Sequence, residues 1–363
     1  MVENLKARGT GVMLPHGGLP EVLPPYLVKL ISETGGPEGP IGLQFVARPT
    51  LELSQYDYKE SDPLLEDFNE VSPGLVYKYR AGKDSEGHSY AGRALFTITR
   101  NCAAYCRYCT RGREVGIPAN QQGELSGTLS HTPHLSKEQI DQSLEFIRNE
   151  YGLNEVILSG GDPLTVRPEV LSYVTEKLGE MQREGKLSIV RIGTRVPIHN
   201  PLLIKEAHFE ALKKLRNPRF MIHANHILEL TPEALSVLQR LRKDCNGVVM
   251  SQTVLLKGVN DNVEVLYNLF TKWAEEGFIP YYVFQNDAVS WAKHFTVPIQ
   301  DAISLWQKMR PRLSGVAATA RFVIDVESGY GKVAVPEAGA WNIIFSDGFR
   351  DFKGTRFDLG VAE

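Results

Sequence analysis

The sequence predicts an α/β fold of six successive strand–helix units. From about residue 94 onward, short β-branched segments alternate with longer amphipathic segments, which is the pattern of βα units around a parallel sheet. A turn and a helical pattern follow each predicted strand. Such a succession can close into a barrel or lie open as a doubly wound sheet, and in both cases reactive residues collect at the carboxyl ends of the strands.

The predicted strands are short and apolar. They cover ALFTIT (94–99), EVILSG (155–160), SIVRIGT (188–194), RFMIHA (219–224), GVVMSQTVLL (247–256) and IPYYVF (279–284), with ARFVIDV (320–326) as a candidate seventh. Two of the intervening helices have clear start signals, since Ser136 can cap the helix that follows it and Thr231 precedes a proline at the first helical position.

The chain divides into three predicted regions. Residues 1–90 lack the strand–helix alternation and are rich in proline, glycine and acidic residues, so we interpret them as an N-terminal extension with helical pieces such as PPYLVKLISETG. Residues 91–332 hold the strand–helix units, and residues 333–363 form a C-terminal tail. A polar loop, GIPANQQGELSGTLSHTPH, occupies residues 116–134.

Composition and charge favour a globular, enzyme-sized protein with small-molecule partners. Of the 363 residues, 42% are hydrophobic, which is enough for a sizeable core. The formal net charge of −3 gives no basic field that would draw the protein to nucleic acid or anionic lipid. The sequence has no signal-peptide core and no run of about 18 apolar residues, so we expect a cytoplasmic protein without a membrane span.

Three of the four cysteines fall within eight residues, in the pattern Cys102-x3-Cys106-x2-Cys109 directly after the first predicted strand. Thiolates are the ligands of iron–sulfur clusters, and three cysteines leave one iron of a [4Fe-4S] cluster open. An open iron can bind the amino and carboxylate groups of S-adenosylmethionine and pass an electron to its sulfonium, which releases a 5′-deoxyadenosyl radical. A zinc site would need a fourth cysteine or histidine, and Cys245 lies far away in the sequence, so a cluster in a reducing compartment is favoured.

A second motif, SGGDPL, ends the second predicted strand at Ser159 to Leu164. Adjacent glycines let a backbone approach a ligand closely and expose its amide N–H groups. Alone, the motif is typical of an ordinary turn. One strand–helix unit after the cysteines, it resembles the glycine-rich element that contacts the methionine amino group in radical S-adenosylmethionine enzymes.

Five segments together resemble the lysine 2,3-aminomutase family: TRNCAAYCRYCTRGREVG, SGGDPL, RIGTRVP, SQTVLLKGVND, and the spaced pair Asp325 and Lys332. The resemblance spans roughly residues 60–340. It implies a partial (β/α)6 TIM-like barrel and the use of pyridoxal 5′-phosphate alongside the [4Fe-4S] cluster and S-adenosyl-L-methionine. The C-terminal cysteine cluster that holds a structural zinc in some members is absent from this sequence, so zinc is not expected.

The resemblance also implies a set of site residues, position by position. Lys332 matches the lysine that forms a Schiff base with pyridoxal phosphate, a role for a primary amine. Arg111 matches the arginine that pairs with the substrate carboxylate, while Asp287 and Asp325 match the carboxylates that receive the distal ammonium of lysine. The other implied contacts are Tyr90 and Arg93 to the cofactor phosphate, and Ser159, Gly160, Gly161, Asp162, Arg195, His223 and Gln252 to S-adenosylmethionine. An insertion, RAGKDSEGHS, directly precedes Tyr90.

The implied reaction is the conversion of L-lysine to β-lysine by migration of the α-amino group. Arginine could use the same acidic pair, and the family member that supplies β-lysine for modification of elongation factor P is an alternative role, whereas two distal carboxylates would repel glutamate. A radical S-adenosylmethionine maturase or methylase would predict extra cysteines or a basic surface, and a non-catalytic cluster protein would leave Lys332 and Arg111 without a purpose. An electron donor such as flavodoxin or ferredoxin is the expected partner, and self-association into a homo-oligomer stays open.

Overall fold

The computed structural model describes residues 19–53, 62–115, 134–287, 289–325, 332–335, 349–350 and 356–357. Its strands are β1 (Glu70–Ser72), β2 (Leu75–Tyr79), β3 (Gly82–Lys83), β4 (Ser89–Tyr90), β5 (Gly92–Thr99), β6 (Leu153–Gly160), β7 (Ile189–Thr194), β8 (Arg219–His223), β9 (Val248–Leu255), β10 (Ile279–Gln285), β11 (Arg321–Asp325), β12 (Lys332–Ala334), β13 (Phe349–Arg350) and β14 (Arg356–Phe357). The main feature is a ten-stranded sheet in the order β1-β2-β5-β6-β7-β8-β9-β10-β11-β12.

Every pairing from β5 to β11 is parallel, which gives seven consecutive parallel strands. All six predicted strands are therefore confirmed, and so is the candidate seventh. Antiparallel strands flank this parallel set, with β1 and β2 on one side and β12 on the other. The result is an open, partial barrel of the predicted α/β class.

Helices connect the parallel strands, as the amphipathic segments predict. The helices before the first strand are α1 (Pro25–Glu33), α2 (Gly42–Phe45) and α3 (Pro49–Leu53). Those between the parallel strands are α4 (Gly112–Val115), α5 (Lys137–Asn149), α6 (Pro168–Arg183), α7 (Val196–His199), α8 (Glu206–Leu212), α9 (Pro232–Lys243), α10 (Val263–Glu275) and α11 (Ile299–Met309). Short 3-10 turns cover Gly36–Glu38, Asp67–Asn69, Pro163–Thr165, Pro201–Leu203, Ile227–Glu229, Ser290–Phe295, Arg310–Arg312 and Ala317–Thr319. Both predicted caps are present, since Ser136 accepts the backbone N–H of Gln139 in a reciprocal capping box and Thr231 accepts that of Ala234.

The main core lies between the parallel strands and their helices. Leu158, Ile192 and Phe220 on neighbouring strands have no solvent-exposed surface, and Leu238 and Phe270 pack into the same core from α9 and α10. Burying an apolar side chain of this size contributes about 1.5–3 kcal/mol, so the core fixes the strand ends that carry the polar residues.

A smaller core joins the N-terminal helices to the cysteine loop. Leu27, Ile31 and Phe45 pack together with Ala104, and Cys106 packs against their cluster. The first 90 residues also contribute β1 and β2 to the main sheet, and the insertion before Tyr90 forms the β3–β4 hairpin. The predicted division of the chain at residues 90 and 332 stays a prediction.

Part of the predicted polar loop, residues 116–133, and most of the predicted tail lie outside the described residues. No helix in the part of the chain that the structure describes is long and apolar enough to cross a membrane.

Candidate active site

Two adjoining cavities lie at the carboxyl ends of the parallel strands. One has a volume of about 270 Å³ and contains the predicted lysine and aspartates; the other, of about 220 Å³, contains the cysteines and the SGGDPL turn. Five residues line both cavities: Thr110, Arg111, His223, Gln252 and Val254. We call the first the substrate cavity and the second the cluster cavity. A radical formed in the cluster cavity would therefore lie next to a molecule bound in the substrate cavity.

The three predicted cluster ligands line the cluster cavity. Cys102, Cys106 and Cys109 lie in the loop between β5 and α4, and none of them is in a disulfide. Burial, reinforced by the nearby Cys106, raises the pKa of Cys109 to about 12. Burial and both neighbouring cysteines likewise raise that of Cys102 well above its usual range. Cys245 lies instead in the main core, where its thiol faces the carbonyl of Phe209 at 3.8 Å.

These cysteines fit a [4Fe-4S] cluster better than a single ion. Among the described residues, no three His, Cys, Asp or Glu side chains converge on one ion position. A cubane cluster does not require such convergence, because each thiolate binds a different iron. Three free thiols that face one cavity supply the ligands that the cluster needs.

The glycines of the SGGDPL turn let the cysteine loop pack directly on β6. Gly160 has a φ of +134°, and a Cβ there would lie 2.0 Å from the Thr99 carbonyl oxygen. A Cβ on Gly161 would lie 2.1 Å from the Asn101 carbonyl oxygen. The amide of Gly161 donates to the carbonyl oxygen of Thr99, and that of Asp162 to the carbonyl oxygen of Asn101, both at 2.7 Å. The turn thus holds the loop that carries the cysteines.

Asp162 ties this turn to the next strand. Its carboxylate accepts the Thr194 hydroxyl at 2.8 Å and the backbone N–H groups of Arg195 at 2.7 Å and Val196 at 3.2 Å. Burial raises its pKa to about 6, although these hydrogen bonds favour the ionised form. The neighbouring Ser159 faces the cluster cavity and lies 3.3 Å from Nη1 of Arg111.

Arg195 is buried at the floor of the cluster cavity. Its Nη1 donates to Cys106 Sγ at 2.8 Å and to the Tyr108 hydroxyl, while its Nη2 donates to Gln44 Oε1 at 2.6 Å and Glu229 Oε1 at 2.5 Å. The pair with Glu229 balances a charge that would otherwise be costly to bury. Sequence reasoning missed this network, because Gln44 and Glu229 come from distant segments that carry no motif.

His223 and Gln252 are register partners on β8 and β9 and line both cavities. Burial, together with the charge of Arg195, lowers the pKa of His223 to about 3, so its imidazole is neutral. The His223 ring lies 3.1 Å from Asn225 Oδ1. A neutral imidazole and an amide can offer hydrogen bonds to a polar ligand at the junction of the cavities.

The substrate cavity brings together the predicted amine and both predicted aspartates. Nζ of Lys332 donates to both carboxylate oxygens of Asp325 at 2.8 Å and lies 4.7 Å from the centre of the Phe284 ring. Asp287 accepts the Thr110 hydroxyl at 2.6 Å. Burial, together with the charge of Asp325, raises the pKa of Asp287 to about 6.

Arg111 also lines this cavity, where Glu66 accepts two hydrogen bonds from its guanidinium, of 2.7 and 2.8 Å.

Arg93 lines the same cavity, with its guanidinium 4.0 Å from the centre of the Tyr79 ring. Tyr90 does not line either cavity; it lies in the β3–β4 hairpin. Tyr79 is the register partner of Arg93 across β2 and β5, so the insertion separates in sequence two residues that the sheet places side by side.

Comparison with known proteins identifies the family. Residues 96–270 match the model of the radical SAM superfamily. L-Lysine 2,3-aminomutase of Clostridium subterminale is 35% identical over 86% of this chain and 67% of its own length. The chain belongs to the L-lysine 2,3-aminomutase family. The enzyme of the same name from Bacillus subtilis is 30% identical over 90% of this chain and 62% of its own length, so the chain spans about two thirds of such relatives.

The chain is also similar to proteins with other names. Glutamate 2,3-aminomutase of Clostridioides difficile is 30% identical over 67% of this chain and 53% of its own length. Among solved structures, a radical SAM methyltransferase from Sphaerobacter thermophilus matches with a TM-score of 0.43 and 15% identity, over 69% of this chain and 73% of the other. Streptococcus suis SuiB matches with a TM-score of 0.44 and 12% identity, over 65% and 50% of the two chains.

Membership of the L-lysine 2,3-aminomutase family confirms four predictions from the sequence: the family itself, the partial α/β barrel, the isomerase class, and the cofactor set of [4Fe-4S] cluster, S-adenosylmethionine and pyridoxal phosphate. The roles of individual residues stay predictions.

Proposed function

We propose that this protein is a radical aminomutase that moves the α-amino group of L-lysine to the β-carbon. The observation that supports this best is the placement of Asp287 and Asp325 in one cavity with Lys332 and Arg111. Two half-buried carboxylates in one cavity repel each other unless a cation joins them, and Asp325 already holds the ammonium group of Lys332 at 2.8 Å. A lysine side chain would bring an ammonium group of the same kind.

The two cavities divide the chemistry between them. When bound, the cluster with S-adenosylmethionine supplies a radical that removes a substrate hydrogen, and pyridoxal phosphate supplies a conjugated system that eases amino migration. Cys102, Cys106 and Cys109 would hold the cluster, and Lys332 would hold pyridoxal phosphate, with Arg93 and Tyr79 as its phosphate contacts.

The residues around the junction position the substrate. Arg111, at the junction, would bind the α-carboxylate, and Asp287 with Asp325 would bind the distal ammonium, so the carbons between these groups would span the substrate cavity. His223 stays neutral and donates or accepts at the junction without adding charge. A flavodoxin or ferredoxin would supply the electron.

The test is anaerobic incubation of cluster-reconstituted, pyridoxal-loaded protein with S-adenosylmethionine, a reductant and each amino acid in turn, followed by chromatographic and mass analysis for a β-isomer. We expect β-lysine from lysine and none from glutamate. Arginine is tested beside lysine because a guanidinium also fits two carboxylates, and a preference for it would correct the substrate within the same reaction. Isomerisation of glutamate or alanine ahead of both cations would contradict the proposal.

A further inference from the structure

Arg111 does not lie free in the substrate cavity. Its Nε and Nη2 donate to the two carboxylate oxygens of Glu66 at 2.8 and 2.7 Å. A guanidinium has five N–H donors, and this two-point contact uses only the edge that contains Nε. The opposite edge, formed by Nη1 and the second N–H of Nη2, makes no contact with Glu66; its Nη1 donates to the Ser159 hydroxyl at 3.3 Å.

The turn that carries Glu66 is anchored independently of Arg111. Both carboxylate oxygens of Asp62 accept backbone N–H groups, from Glu66 at 3.1 Å and from Asp67 at 3.0 Å. Arg113 binds the same turn, with its Nη2 3.2 Å from Asp62 and 2.8 Å from Asp67. Leu65 adopts a φ of +52°, an uncommon conformation for a side chain of this type, directly before Glu66. The carboxylate therefore has a fixed position from which it can orient Arg111.

Glu66 also separates charges within the cavity. Burial alone would raise its pKa, but Arg111 and Arg113 hold that pKa below its usual value, so the carboxylate stays ionised. Asp287 and Asp325 line the same cavity as Arg111. Without Glu66, these two carboxylates would compete for the arginine, and the site for a distal cation would be lost.

We propose that Glu66 is the positioning residue for the substrate carboxylate: it holds one edge of Arg111 so that the other edge faces the junction of the two cavities, and it keeps Arg111 apart from Asp287 and Asp325. This inference rests on the proposed function, in which Arg111 binds an α-carboxylate. It assigns to Glu66 a role in specificity rather than in the chemical step.

The first test compares the kinetics of Glu66→Gln and Glu66→Ala with the parent protein. Loss of a charge-assisted contact should raise KM for lysine by about ten- to a hundredfold in Glu66→Ala and less in Glu66→Gln, which keeps an acceptor, with a smaller change in kcat. Glu70→Gln is the matched control, because Glu70 is exposed four residues further on and glutamine can still accept the hydrogen bond that Glu70 receives from the Gly74 amide at 2.8 Å. We expect its KM to stay within about twofold of the parent.

A double-mutant cycle separates positioning from folding. If Glu66 acts through Arg111, Glu66→Ala should add little to the KM of an Arg111→Ala variant, whereas a structural defect would add in full. Lysinamide lacks the carboxylate, so its KM should exceed that of lysine in the parent, whereas the two KM values should be similar in Glu66→Ala. Additive losses in the cycle, or unchanged discrimination, would overturn the proposal.

A second readout does not depend on turnover. Phenylglyoxal labels accessible guanidinium groups, and peptide mapping of the loaded protein follows Arg111 alone. Labelling of Arg111 should be several-fold faster in Glu66→Gln than in the parent, and an equal rate would show that Glu66 does not hold the arginine. If this rate rises while the parent isomerises no amino acid, the positioning contact stands and the proposed function has failed.

Discussion

Asp325 and Lys332 face each other as register partners across β11 and β12, and Nζ of Lys332 lies 2.8 Å from both carboxylate oxygens of Asp325. Lys332, which we propose holds pyridoxal phosphate, is thus paired with Asp325, which we propose binds the distal end of the substrate. Covalent engagement of Lys332 would remove its ammonium group from Asp325. The carboxylate would then be available to a second cation, so cofactor loading would complete the substrate site.

Borohydride reduction of the pyridoxal-loaded protein should fix the cofactor on Lys332. Lys78 is the competing amine, since it lines the same cavity and burial lowers its pKa. Peptide mapping should find the label on Lys332 in the parent and in Lys78→Arg, and none in Lys332→Arg. A label on Lys78 in the parent would contradict the assignment of Lys332.

Cluster assembly should depend on three cysteines and not on the fourth. We expect Cys102→Ala, Cys106→Ala and Cys109→Ala to abolish reductive cleavage of S-adenosylmethionine, because each removes the ligand of one iron. Cys245→Ala is the matched control, since this thiol is buried in the main core. Iron content, electron paramagnetic resonance and release of 5′-deoxyadenosine provide the measurements. Undiminished cleavage by a triple variant of the loop would rule out the cluster site.

The affinity for lysine should depend on pH through Asp287. The pKa of this carboxyl is raised to about 6, so it is neutral below that pH and negatively charged above it. An ammonium group needs the charged form, and KM for lysine should therefore fall as the pH rises through about 6. Asp287→Asn should remove this step and raise KM at neutral pH by about ten- to a hundredfold, while uncoupled cleavage of S-adenosylmethionine persists.

The control for that profile is Asp301→Asn, an exposed aspartate at the start of α11. It should keep the pH profile of the parent. If KM for lysine in Asp287→Asn still falls by the same factor over the same pH range as in the parent, another group is responsible for the pH dependence.

A buried ion pair between Glu52 and Arg107 should stabilise the packing of the cysteine loop on the N-terminal residues. Nε of Arg107 donates to Glu52 Oε1 at 2.9 Å, and its Nη1 donates to the Leu19 carbonyl at 3.0 Å. Glu52→Gln leaves a buried cation without its counter-charge, which should lower the free energy of unfolding by about 3–5 kcal/mol in chemical denaturation. Glu33→Gln, which breaks only an exposed pair with Lys29, should cost less than about 1 kcal/mol. Equal effects of the two substitutions would contradict the stabilising role of the buried pair.

The strand pattern and the cysteine spacing predict most of what positions the site, because both are local signals. Each parallel strand ends where its apolar run ends, so the placement of Arg195 after β7 and of Asp325 at the end of β11 follows from the sequence. Glu66 carries no such signal. Its partner Arg111 is 45 residues away, and only the folded sheet brings the two together.

The tyrosine nearest to Arg93 shows a second limit of sequence reasoning. Counting back from the cysteines selects Tyr90, whereas the pairing of β2 with β5 places Tyr79 on Arg93. The insertion forms a separate hairpin, so distance along the chain no longer measures distance in the sheet. Register across strands, which depends on tertiary packing, determines which tyrosine reaches the cavity.

The strand that carries Lys332 has only three residues and, in the described part of the chain, pairs with β11 alone. A short edge element of this kind can open locally at a small fraction of the free energy that global unfolding requires. Release of a cofactor held covalently by Lys332 would then require only local opening at the edge of the sheet, without denaturation of the barrel. A preparation depleted of pyridoxal phosphate would accordingly keep its circular dichroism spectrum and its melting behaviour, and would recover when the cofactor is returned.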